Sequence, residues 1–347
     1  MGSIYDVQIV NENWLFYYEV LSGCIKKINL ANCSLESVIM IREKIKTEYT
    51  VGVVVGNYIY YVPNNKGNIL KYNYLTNDVK EIFLPKIEGI LCTSIILKGK
   101  TIIFVPFVKE MPFIKLDIEN DKVDIWQDVS TKVQKCVNKT NLLFRNALIY
   151  GEKILLPAFR TNQLFEINIC NGELKEHLIG MDGEYLISIL KDEKNIYILA
   201  TNNMPSIYVL GSDLKVKERV ILAKEKNTVL LSMEDCGDYI LIPQRENGLS
   251  YLFYKDTSVV EKVDLFENNE GLRGKAVTKA RRINESTVLL VIKDIDSVFG
   301  FWNINDKKIE WMEVEGADLE VIRNNEFRFE NNNCNLKTLI RSIKTVV

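Results

Sequence analysis

The chain has one histidine, His177, in the run Glu173-Leu-Lys-Glu-His-Leu178, which reads as an exposed outer strand. Ser–His and Cys–His nucleophilic schemes need a histidine beside the nucleophile, and Cys/His metal sites need several such ligands. Neither arrangement can be assembled here. The seven cysteines are scattered, with no Cys-x-x-Cys pair, and read as buried or half-buried thiols rather than a disulfide framework. Asp294-Ile-Asp296 could hold a divalent cation with a phosphate-bearing ligand, and Glu246 stands in a comparable loop; solvated loop acids are the plainer reading. Neither a Walker A loop nor Gly-x-Gly-x-x-Gly occurs, so no phosphate cradle of those types is encoded. The sequence therefore predicts no catalytic residue, no metal site and no cofactor.

Cations and amides make a more coherent pattern. Arg145 and Arg281 fall in the first-strand runs Arg145–Tyr150 and Ala280–Ile283, where such strands otherwise read mainly Val, Ile and Leu. Lys109, Arg160, Asn202 and the pair Gln244-Arg245 each follow shortly after the end of a different apolar run. Arginine makes bidentate, charge-assisted bonds to carboxylate and phosphate. If the fold brings these seven residues together, they form a site for a polar or anionic ligand. The alternative is a set of solvated loops paired with nearby Asp and Glu.

The elements that must position them are repeated. Residues 49–84 read as four short strands: Tyr49–Val55, Tyr58–Pro63, Asn68–Tyr72 and Val79–Phe83, separated by Gly-Asn, Asn-Asn-Lys-Gly and Thr-Asn-Asp turns. The runs are β-branched and aromatic, and the turns carry the residues that turns require. The first hairpin of this unit recurs seven times. Its second run ends at Tyr18, Pro63, Pro106, Pro157, Thr201, Pro243 and Ile292, with spacings of 45, 43, 51, 44, 42 and 49 residues. Four strands per period of this length are the mark of a β-propeller. The expected fold is all-β: a seven-bladed propeller of four-stranded antiparallel blades over residues 1–316, with a tail over 317–347. Asn335 could cap a tail helix from Leu336 to Thr345, whose Leu336, Leu339, Ile340 and Ile343 share a face and would pack on the propeller. Residues 128–141 read as a polar insertion, and 266–279 as a charged loop.

Two outer hairpins carry an acidic or amide turn followed by tryptophan: Asp117-Ile-Glu-Asn-Asp-Lys before Trp126, and Asn303-Ile-Asn-Asp-Lys-Lys before Trp311. In this the chain resembles the kelch-like superfamily of seven-bladed propellers. It departs from the pattern where kelch repeats carry a double glycine after the second strand; here proline stands in four of seven units. The resemblance implies the architecture and transfers no function.

Composition sets the remaining bounds. Lys plus Arg number 44 and Asp plus Glu 46, a net charge of −2, which argues against a general nucleic-acid or membrane binder. The N-terminus shows neither a basic n-region nor an apolar h-region, and no apolar run is long enough to span a bilayer. The expectation is a cytoplasmic protein. In propellers, the loops between second and third strands lie on one face around the axis. Lys109, Arg145, Arg160, Asn202, Gln244, Arg245 and Arg281 are therefore expected to converge there on a protein partner, an anionic small molecule or a glycan. The expected role is non-catalytic recognition. An enzyme acting on a sugar or other polar small molecule at the channel mouth is the alternative.

Overall fold

The structure, a computed structural model, describes residues 4, 6–20, 22–41, 48–64, 66–85, 87, 91–137, 141–202, 204–224, 228–245, 248–267, 269–292 and 298–314. Within them, 28 strands form seven four-stranded antiparallel sheets, each a meander of consecutive strands. The blades span residues 8–40, 49–82, 92–125, 148–178, 185–221, 234–264 and 277–313. The architecture is the expected seven-bladed β-propeller. Residues 317–347, with the expected tail helix, lie outside the described residues, as do Asp294, Asp296 and Glu246.

A single four-stranded sheet cannot bury both of its faces, so each blade must lean on its neighbours. Seven apolar clusters do this, one at each junction between successive blades. The second strands supply most of the packing and are close to fully buried. Thr101–Pro106 is buried from Ile102 onward, and Tyr239–Pro243 throughout. Each fully buried aliphatic or aromatic side chain there contributes about 1.5–3 kcal/mol. Pro63, Pro106, Pro157 and Pro243 each close their second strand, where a residue without an N–H ends the ladder at little cost.

The ring closes without exchanging a strand, because the first and seventh blades each supply all four of their own. Ile4, Val7, Leu15 and Tyr17 of the first blade pack on Leu289, Val291 and Phe299 of the seventh. The Tyr17 and Phe299 rings meet edge-on, 6.0 Å apart.

Most of the first part of the expected polar insertion, residues 128–136, lies in a helix, Gln127–Cys136. Val129 and Val133, one turn apart, are its buried stripe on the junction between the third and fourth blades. The rest of the helix is polar, which masks this narrow apolar face in the sequence.

Every innermost strand carries one residue more than its partner, near its start. In the first blade the inner strand advances four residues from the Ile4–Glu19 bridge to the Gln8–Phe16 pair, while the second strand advances three. The fourth blade repeats this between Phe144–Ala158 and Leu148–Leu155. So does the sixth, between Leu230–Gln244 and Glu234–Leu241. The second, third, fifth and seventh blades carry one extra residue in the register shifts after Tyr49, after Cys92, after Leu186 and after Val277. A bulge breaks the two-residue alternation and re-aims side chains. Seven bulges at equivalent positions make a ring of irregular backbone around the axis, on the face that also bears the loops after the second strands.

Candidate functional site at the axial face

The bulges place polar side chains where each can reach the exposed edge of the next inner strand. Asp6 Oδ2 in the first blade accepts the Gly52 N–H of the second at 3.3 Å. Thr50 donates to the Cys92 carbonyl in the third at 3.5 Å. Thr93 donates to the carbonyls of Phe144 and Arg145 at 3.2 and 3.1 Å. Asn146 donates to Ser188 Oγ at 2.9 Å and more weakly to the Ile189 carbonyl at 3.4 Å. Thr201, which ends the second strand Ile196–Thr201 rather than lying in a bulge, donates to the Thr228 carbonyl at 3.2 Å, and Glu234 Oε1 accepts the Arg282 N–H at 3.1 Å. Unpaired strand edges leave backbone groups that need partners, and here the preceding blade supplies them. The seventh junction differs: Lys279 reaches across the closure to the carboxylate of Asp6.

Asp6 is the most enclosed charge of the site, 4% exposed. Besides Lys279 and Gly52 it receives the Gln8 amide at 3.1 Å, and the Arg281 guanidinium lies 3.5 Å away. Lys279 and Arg281 are two residues apart on the strand Val277–Arg282, and both turn to Asp6. Burial pushes the Asp6 carboxyl up, but Lys279 and Arg281, with hydrogen bonds from Lys279 and Gly52, together hold it below the usual carboxylate range. Burial, and then the repulsion of Arg281 and Arg145, bring Lys279 down to about 8 against the pull of Asp6.

Arg145 sits inside the fourth blade's bulge and is half-buried. Packed protein on its flanks and the neighbouring Arg245 guanidinium lower its pKa to about 10. Among the described residues no carboxylate or carbonyl accepts from its side chain. Glu234, the first residue of the short inner strand Glu234–Asp235, is also half-buried; burial raises its carboxyl to about 7 although Arg281 and Lys279 oppose the shift. Cys92 lies nearby, but burial raises its thiol to about 12, so it is no nucleophile.

Of the seven residues picked out from the sequence, Arg145, Arg245 and Arg281 join one electrostatic group with Lys279. Arg160 stands on the loop after the strand Lys153–Pro157, exposed and in a left-handed conformation (φ 66°), its guanidinium 5.8 Å from the Phe159 ring. Lys109 is tied to the helix Gln127–Cys136: its ammonium donates to the Val137 carbonyl at 3.3 Å, and its own carbonyl accepts from Gln134 at 2.6 Å. Asn202 donates to the Gly183 carbonyl at 2.5 Å. Gln244 is held through its backbone, with its N–H 3.3 Å from Ser250 Oγ. These four stand on loops after second strands, as does Arg245, while Arg145, Lys279 and Arg281 belong to the innermost strands and their bulges. His177 is half-buried on the outer side, paired with Glu166 at 3.0 Å.

Asp6, Lys279 and Glu234 were not among the residues the sequence picked out. Asp6 and Lys279 could have been found by the rule that selected Arg145 and Arg281, a charge in an apolar inner run. Lys279 belongs to such a run because the inner strand begins at Val277.

Among the described residues no group of His, Cys, Asp and Glu side chains could hold a metal ion, and no helix is long and apolar enough to cross a membrane. No protein-family model matches the chain, and no curated protein matches it in sequence. Solved structures do match. A catalytically inactive virginiamycin B lyase from Staphylococcus aureus, solved with quinupristin, superposes with TM-score 0.66 over 84% of this chain and 92% of its own, at 9% identity. YCF48 bound to D1 peptide gives TM-score 0.64 at 9% identity, covering 90% of this chain and 93% of that one. The computationally designed protein Ika8 gives 0.60 at 12% identity, covering 90% and 88%. At such identities the likeness shows the fold alone. The chain is a seven-bladed β-propeller, a class used for binding and scaffolding that also includes enzymes such as the lyase.

Proposed function

We propose that the protein is a non-catalytic recognition module whose axial face binds a carboxylate or phosphoryl group carried by a small molecule, a glycan or a protein partner. One observation carries this reading: Arg145 lines the axis beside Arg245, with no acceptor for its guanidinium among the described residues. A half-buried cation that repels its neighbour is costly unless an anion offsets it. Asp6 is already engaged by Lys279, Arg281, Gln8 and Gly52. Among the described residues this leaves the Arg145 guanidinium open to an anionic group of a ligand. YCF48 bound to D1 peptide lends general support for recognition by this fold. A kelch-like relationship is supported by Trp126 and Trp311, which pack on Phe113 and Phe266 at the outer hairpins with ring separations of 6.3 and 5.3 Å. A cytoplasmic setting accords with the buried thiols of Cys92 and Cys236.

Calorimetric titration with sugar phosphates, uronic acids and acidic peptides tests the proposal. Wild type should bind at least one class. Arg145→Gln with Arg245→Gln should weaken it by two orders of magnitude or more, since each charge-assisted bond contributes about 1.5–3 kcal/mol. A wild type that binds none of them refutes the reading.

One observation favours the enzyme alternative: Glu234 near 7 and Lys279 near 8 are suited to move protons at neutral pH. Turnover of a bound sugar phosphate or uronic acid, lost in Glu234→Gln, would establish it.

A further inference from the structure

We propose that Glu234 is the acid of this site: it enters the complex as a neutral carboxyl, donates a hydrogen bond to the bound oxyanion, and so couples binding to the uptake of one proton. The inference rests on the anion-binding reading above.

The geometry around Glu234 carries it. Oε1 accepts the Arg282 N–H, and Oε2 has no partner among the described residues. The residue whose N–H it accepts does not neutralise it through its side chain. The Arg282 guanidinium is spent on backbone carbonyls instead: Nε on Asn284 at 3.0 Å, and the two terminal nitrogens on Asp235 at 3.3 Å and Glu285 at 3.2 Å. Arg281 and Lys279 lie on the same neighbouring strand but are turned to Asp6. On its own strand Glu234 is followed by Asp235, whose negative charge opposes ionisation. The groups that face Glu234 are thus Asp235 and Cys236 from its own blade and Lys279, Arg281 and the Arg282 N–H from the next, and none forms an ion pair with it among the described residues. This half-buried carboxyl borders the cations of the axis with one oxygen uncommitted.

An oxyanion held by Arg145, Arg245 and Arg281 adds negative charge beside Glu234. Like charge favours the protonated form, and the protonated form has an O–H to give. The exchange balances: one proton leaves solvent, joins the carboxylate, and hydrogen-bonds to a ligand oxygen without a covalent step. By linkage, whatever raises the proton affinity of Glu234 is itself bound more tightly by the protonated protein. The ligand class is an anion that keeps an acceptor oxygen at neutral pH, a carboxylate or a sulfate- or phosphate-like group.

Sulfate and oxalate separate those two chemistries, and neither titrates near neutrality. Each is titrated calorimetrically into the full chain in buffers of different ionisation enthalpy, from pH 6 to 8. Wild type should take up a substantial fraction of a proton, and its affinity should fall several-fold over this range, by no more than tenfold per pH unit. Glu234→Gln, which keeps an N–H donor, should lose most of the uptake at pH 7, keeping only the small part that Lys279, already mostly charged there, can add, and at pH 8 should bind several-fold more tightly than wild type. If wild type binds either anion with no proton uptake, or if Glu234→Gln retains the uptake, the inference fails while anion binding stands. If neither sulfate nor oxalate nor any ligand of the larger panel binds, both fall.

Discussion

The rim of the propeller and its axis use the same charged residues to different ends. On the rim, acids and lysines pair locally in the open: Lys122 with Asp124 at 3.6 Å, Lys175 with Glu173 at 3.2 Å, Lys215 with Asp213 at 3.4 Å, and Lys100 with Glu119. Both partners are exposed in each case, so solvent screens the pair and its contribution is small. At the axis, Asp6 is enclosed and shared between two cations, while Arg145 and Arg245 repel one another and no described acid pairs with Arg145. Low dielectric raises the stakes of every charge there. Charge on the rim serves solubility. At the axis it either closes the ring or waits for a partner.

The contrast is broken most severely at Asp6. Asp6→Ala leaves Lys279 and Arg281 facing each other across the closure and should destabilise by about 3–5 kcal/mol, read from urea unfolding. The pH dependence has a fixed sign. Because the folded-state pKa of Asp6 is depressed, its contribution is fully present above the unfolded value of 3.8 and is lost as pH falls through the folded value. The stability gap between wild type and Asp6→Asn should therefore be widest above about pH 5 and shrink on further acidification. A gap that does not change with pH would mean the Asp6 charge is not what closes the ring.

A middle effect is expected from the links between inner strands. Thr93→Val removes the donor shared by the Phe144 and Arg145 carbonyls and should cost about 1 kcal/mol. The smallest effect belongs to the rim. Glu119→Ala should change stability by less than about 0.5 kcal/mol, and raised salt should erase even that. A rim substitution as damaging as Thr93→Val would dissolve the contrast.

How much of this could be read in the sequence follows from where the backbone stays regular. Second strands such as Thr101–Pro106 and Tyr239–Pro243 are continuous apolar runs ending in proline, so blade number and spacing were legible. Inner strands are not regular. Arg145 reads as a strand residue, but it sits in a bulge ahead of the strand Leu148–Tyr150, which no alternation rule reveals. Glu234 lies just past the apolar run Val229–Met233, because the bulge moves the regular pairing to Glu234–Asp235. The Asp6–Lys279 pair joins residues 273 positions apart, a contact created only by closing the ring. Loop residues such as Lys109 and Asn202 were correctly placed beyond second strands, yet their local bonds depend on a helix and a turn that the polar sequence around them conceals.

The central claim is that Arg145 has no acceptor among the described residues and is held for an anion. Thermal unfolding of Arg145→Met, with and without sulfate, tests it most directly. Replacing an uncompensated cation by an apolar side chain of similar length should relieve its cost. The account predicts a Tm at or above wild type in the absence of anion, and stabilisation by sulfate in wild type but not in the variant. A Tm several degrees below wild type without anion, or equal stabilisation of both proteins by sulfate, would contradict it.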